Sequence, residues 1–139
     1  MKRLLALATL LAASCLMSES VMAAAAEVMP PIGKITKIVV VTRGRQSPIT
    51  KEISEPADVA RIAAFVDANR TGWTTPWTGI PVPSLDVRLY DEKEFKGSFG
   101  AGKSFFETQR LGAFYSKNAS SKELVQFAHL LGIDTSALH

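Results

Sequence analysis

Two periodicities alternate along the chain, and the order in which they follow one another limits the fold more than any other property. Ile35 to Thr42 (ITKIVVVT) is β-branched almost throughout and apolar on both alternations at its centre, the pattern of a strand with sheet neighbours on either side. Arg43 to Pro48 reads as a turn, and Ile49 to Ile53 then alternates apolar and polar, which predicts an antiparallel hairpin arm with one buried face. Val59, Ile62, Ala63 and Val66 next recur at i, i+3, i+4 and i+7 with Phe65 beside them, the apolar stripe of a helix that leaves Arg61 and Asp67 in water. Ser54 is its expected N-cap, Pro56 and Asp58 suit its first turn, and it is expected to stop near Asn69 to Gly72.

Period two returns at Leu85, Val87 and Leu89, which alternate with Asp86, Arg88 and Tyr90. Asp91 to Glu94 supplies a polar turn, and Phe95, Gly97 and Phe99 are expected to share the inner face of the next arm. Two more strand-like stretches, Ser104 to Thr108 and Ala113 to Ser116, are set off by glycines at 97, 100, 102 and 112, which predict bulges or tight corners in a curved sheet. Ser120 and Glu123 form a capping box ahead of a second stripe, Leu124, Phe127, Ala128 and Leu131. Gly132 closes that helix, with Ile133 placed for a Schellman contact. The expected fold is α+β, a single small domain ordered β-β-α-β-β-β-β-α, with a curved antiparallel sheet and two helices packed on one face.

Residues 1–23 stand apart from this pattern. Lys2 and Arg3, an apolar run from Leu4 to Met17 and small residues at Val21 and Ala23 match a bacterial-type secretory signal peptide cleaved after Ala23. The competing route is lipoprotein processing at Cys15, in Leu11-Ala12-Ala13-Ser14-Cys15, which would leave a lipid-anchored product. Residues 24–34, an alanine run followed by Pro30, Pro31 and Gly33, read as a flexible leader, and 35–139 as the domain itself. The 116 residues left after cleavage suit one core and no more. Cys15 is the single cysteine, so either route leaves no disulfide, thiol nucleophile or cysteine metal site in the domain. The expected location is periplasmic or secreted, with no second apolar span to act as a transmembrane helix.

A formal charge of +3 on the whole chain is too weak to imply nucleic acid. Between Lys93 and Lys122, six cations stand against two anions. Lys93, Lys96, Lys103 and Arg110 therefore make a candidate cationic face, although lysines that protect strand edges would look the same.

Trp73 to Pro83 (WTTPWTGIPVP) holds both tryptophans, and its prolines at 76, 81 and 83 exclude regular helix. Trp73, Pro76, Trp77 and Pro81 are the candidate partner-binding set, because aromatic faces on a proline-stiffened loop lose little entropy on binding. The competing reading folds the same loop across the sheet to complete the core.

Gly97 to Ser104 satisfies the P-loop pattern G-x-x-x-x-G-K-[ST] in full. A working P-loop opens a helix at once, whereas Phe105-Phe106-Glu107-Thr108 and then Gly112 read as strand and turn, so nucleotide binding is not expected. His129 and His139 are the only histidines, and neither sits in a metal-ligand spacing, so no cofactor or metal is predicted. Asp86, Asp91, Glu92 and Glu94 surround one expected hairpin. Asp86 and Glu92 are the carboxylates that a small envelope hydrolase would use. The leading expectation is an exported, non-enzymatic cell-envelope binding protein, an inhibitor or immunity-type factor that recognises another protein or a cell-wall component through the tryptophan loop. A small-ligand or lipid-headgroup carrier is the further alternative.

Overall fold

The computed structural model describes residues 26–43, 48–76 and 78–138. The signal segment, Cys15, Trp77 and His139 lie outside the described residues. The elements follow the expected order: β1 (Lys37–Thr42), β2 (Ile49–Ile53), α1 (Pro56–Ala68), β3 (Leu85–Asp91), β4 (Glu94–Ala101), β5 (Phe105–Arg110), β6 (Ala113–Asn118) and α2 (Ser121–Leu130), with a short 3-10 turn at Thr135–Leu138. Six strands form one antiparallel sheet in the order β2-β1-β3-β4-β5-β6, which is not closed. The apolar centre of β1 is thus explained, since it pairs with β2 on one side and β3 on the other.

Both helices cover one face of this sheet. Val59, Ile62, Phe65 and Val66 of α1 and Leu124, Phe127 and Ala128 of α2 meet Ile38, Val40, Leu85, Val87, Leu89, Phe99 and Phe106 of the strands. Phe65 and Phe127 stack at 5.1 Å between ring centroids, and Phe99 and Phe106 meet Phe127 at steep angles at 5.2 and 5.7 Å. Such offset and edge contacts match the aromatic quadrupole, so they add to the area that burial removes from water.

The helix ends show where local chemistry decides. Ser120 and Glu123 form the reciprocal capping box of α2. At its other end Ile133 N–H donates to the Ala128 carbonyl and Gly132 N–H to that of His129, the two bonds of a Schellman motif. Lys51, on the inner face of β2, also donates to the Leu131 carbonyl at 3.2 Å, placing a cation at the negative end of the helix. For α1 the expected cap is corrected. Glu55 rather than Ser54 holds the N-cap position and makes no side-chain cap bond, because Pro56 at the first helical position moves the boundary one residue on. Asp67, expected in water, is half-buried and accepts a hydrogen bond from Ile32 N–H at 2.9 Å.

Residues 26–34, within the expected leader, enter the core instead of framing it. Glu27 and Trp73 exchange backbone hydrogen bonds, Met29 N–H donates to the Arg70 carbonyl, and the side chains of Met29 and Ile32 are buried. The apolar Met29 and Ile32 supply the driving force, and Arg110 fastens the turn between them by donating to the carbonyls of Pro30 and Pro31 at 2.8 and 3.3 Å.

Phe95 does not share the inner face with Phe99. The β3–β4 register runs Leu89 to Gly97 and then Tyr90 to Phe95, so Lys96 is the extra residue of a β-bulge. The inserted residue carries Phe95 to the outer face, where its ring meets Tyr90 at 5.7 Å. Gly97 permits this, with φ at 145° and with the place of a Cβ only 2.6 Å from Arg110 Cδ and 2.8 Å from the Gln109 carbonyl.

Candidate functional site

The helices cover one face of the sheet, and the opposite face carries the site. Cross-strand partners point the same way, so Asp86, Arg88 and Tyr90 of β3, Ser98 and Gly100 of β4, and Glu107 and Gln109 of β5 share this outer face. Ile80 to Pro83 crosses above them, and Arg43, Phe95 and Phe114 complete the walls. The result is an open cleft of about 410 Å³ with a polar floor and an apolar rim. Val82 is 70 % exposed and Phe95 is 44 % exposed, both large apolar side chains left in water at its edge.

Gly100 sets the geometry of the floor. It pairs with Asp86 on one side and with Glu107 on the other, so the two carboxyls flank a residue that has no side chain to separate them. The ring of Pro83 lies on this glycine. A Cβ there would stand 2.8 Å from Pro83 Cβ and Cγ and 3.2 Å from the Leu85 carbonyl oxygen. Gly100→Ala must therefore lift the proline and the rim attached to it, at a cost of about 1–3 kcal/mol of stability, as overpacking usually exacts. Thermal unfolding of the variant checks this, and an unchanged melting temperature would contradict the packing.

The two carboxyls have different surroundings. Asp86 is 8 % exposed and accepts from Arg88 Nε at 3.2 Å, while Arg43 Nη2 stands 3.7 Å from the same oxygen. Glu107 is 5 % exposed, and its carboxyl has no hydrogen-bond or ion-pair partner among the described residues. Burial, and after it the charge of Asp86, pushes its pKa up from 4.5 to about 7, against a smaller opposing pull from Arg43. Ser98 Oγ accepts from Gln109 N–H at 3.3 Å, which leaves its own proton available to a ligand.

The candidates read from sequence are distributed differently. Trp73 is corrected from a surface anchor to a core residue. It is 1 % exposed, its ring meets Phe99 at 5.7 Å, its indole N–H donates to the Asn69 carbonyl at 2.7 Å, and Lys117 Nζ sits 4.9 Å from the ring centroid. The core alternative therefore holds for this residue, while Pro76 is half-buried outside the cleft and Pro81 lines it. The proposed cationic face is not assembled. Lys93 and Lys103 lie beyond opposite ends of β4, roughly 30 Å apart along an extended strand. Lys96 pairs with Glu94 at 3.6 Å, and Arg110 is buried on the inner face. Asp86 and Glu92 are likewise separated by nearly the whole of β3, roughly 20 Å, so Glu107 and not Glu92 is the carboxyl that faces Asp86.

The P-loop pattern lies on β4 and the turn into β5, with no helix N-terminus after Ser104. Its glycines serve the bulge at Gly97 and the Pro83 contact at Gly100. Among the described residues no group of three or more His, Cys, Asp or Glu side chains is placed to hold a metal ion, and no helix is long and apolar enough to cross a membrane. Comparisons with known protein families, with curated protein sequences and with solved structures returned no match.

Proposed function

We propose that this is an exported, non-enzymatic cell-envelope protein that holds a small ligand in the outer-face cleft. The observation that carries the reading is the combination of an open cleft of about 410 Å³, a buried polar floor and exposed apolar residues at its edge. Volumes of this order suit small molecules, with apolar walls supplying affinity and a few polar groups supplying orientation. Recognition of a protein through the tryptophan loop loses one of its two aromatic anchors once Trp73 is in the core, whereas Pro81 keeps that loop at the new site.

A thermal-shift panel of sugars, lipid headgroups and nucleotides on the purified protein tests the proposal. A ligand present at about a hundred times its Kd should stabilise the fold by about 2.7 kcal/mol. The doubly substituted Val82→Ala, Phe95→Ala protein should stay folded and melt only modestly below the parent when empty, because neither side chain belongs to the buried core, and should lose the ligand-induced shift. No shift with any class, or a shift that the double variant retains, would sink the reading.

Hydrolysis is the second reading, favoured by the same pair in its corrected form. Asp86 lies against two guanidiniums while burial keeps the proton on Glu107 up to about pH 7, a difference in surroundings that suits acid and base roles. It demands a measured turnover that both Asp86→Asn and Glu107→Gln remove without unfolding the domain.

A further inference from the structure

The charges at the cleft restrict what can enter it, and this inference rests on the cleft being the binding site. Arg43 and Arg88 both lie against Asp86, so a cationic ligand would meet two guanidiniums, and an anionic one would find those guanidiniums already engaged by the buried carboxylate. An uncharged ligand avoids both. A purely apolar ligand would fare badly as well, because it would strip water from Glu107, Ser98 and Gln109 without replacing the hydrogen bonds, at roughly 1–3 kcal/mol for each group. The walls ask for the opposite character. Phe95 and Tyr90 form an edge-to-face pair, and with Ile80 and Val82 they line the cleft. The ligand therefore has one apolar face and a rim of neutral donors and acceptors, which is the chemistry of a sugar ring.

We propose that the cleft binds a neutral saccharide unit, one ring face against Phe95 and Tyr90 and its hydroxyls on Glu107, Ser98 and Gln109. Buried across Gly100 from Asp86, Glu107 takes part as a carboxylic acid that donates a hydrogen bond. The carboxyl of Glu107 lies in the floor of the open cleft with no protein partner among the described residues, so a ligand that enters must replace the water on it. A sugar hydroxyl accepts the proton of the acid and donates to its carbonyl oxygen, so both oxygens are served. The ionisable groups that share the cleft with Glu107 are Asp86, Arg43, Arg88 and Tyr90. Ionisation of Glu107 removes the donor and sets a second negative charge beside Asp86. Ligand is held while Glu107 keeps its proton and released as the pH rises past about 7.

A glycan array of neutral, acidic and amino oligosaccharides, probed with the purified protein at about pH 6, identifies the ligand, and calorimetric titration at about pH 6 and about pH 8.5 reads the coupling. A neutral oligosaccharide is expected to bind, about thirtyfold more weakly at the higher pH, as one carboxyl titrating near 7 requires. Glu107→Gln, which mimics the neutral acid, should bind at both pH values without that fall, and Phe95→Ala should lose binding at both. Binding of charged saccharides alone, no binding on the array, or a pH dependence that survives in Glu107→Gln would overturn the proposal. If a non-sugar from the thermal-shift panel binds through Phe95 while neutral saccharides do not, the saccharide assignment falls and the cleft stands. Ligand protection that survives Phe95→Ala removes both.

Discussion

Replacing Trp73 with alanine is expected to lower the stability of the domain by roughly 3–5 kcal/mol, the usual cost of deleting a large buried aromatic. The indole fills space against Phe99, and it also lies where the N-terminal segment, the end of α1 and β6 meet. Its loss leaves the Asn69 carbonyl without the indole donor and takes the ring from under Lys117, whose ammonium stays half-buried against Asn69 and Thr71. For a domain of this size the melting temperature should fall by more than about 10 °C. A residue serving only as a surface anchor would melt within a degree or two of the parent, so circular dichroism during heating separates the two roles.

The second large effect belongs to Glu107 and is seen in the pH dependence of unfolding. In the unfolded chain its carboxyl ionises near the ordinary 4.5, and in the folded protein near 7. Between these values the folded state keeps a proton that the unfolded state has given up, so raising the pH favours unfolding. The stabilisation linked to this group is greatest below about 4.5, falls through that interval and is flat above about 7. The shift corresponds to roughly 3 kcal/mol. Glu107→Gln removes the slope, so urea titrations of the two proteins should diverge in favour of the variant as the pH rises from about 4.5 to 7, and parallel curves would show that the folded carboxyl titrates normally.

Much of the architecture is legible in residue periodicity, and the site much less so. The strand and helix order, the Ser120–Glu123 box and the Gly132–Ile133 ending are local patterns, set by residues within a few positions of one another. Alternation assumes an uninterrupted ladder and puts Phe95 on the inner face, whereas the inserted Lys96 reverses the faces. Ser54 is a better cap than Glu55 by chemistry alone, but the rigid ring of Pro56 chooses the boundary. Glu107 is hidden from a local reading for a different reason. The run Phe105-Phe106-Glu107-Thr108-Gln109 already suggests an outward carboxylate, yet its meeting with Asp86 across Gly100 depends on the register of β3, β4 and β5 together, which no single stretch of residues encodes. Trp73 shows the same limitation, since its burial comes from Glu27 far upstream and Ser116 far downstream by way of Thr74.

The fastening of the N-terminal segment also dictates an order of assembly. The hairpins β3–β4 and β5–β6 join neighbouring stretches of chain and can close early, whereas Arg110 reaches Pro30 and Pro31 across 80 and 79 positions. Contacts of such separation carry the largest loop-closure entropy and form late. Synthesis delivers Met29 and Ile32 before any of their partners exist, so the opening stretch of the domain waits as uncommitted chain. Its fastening is complete only when β5 has arrived.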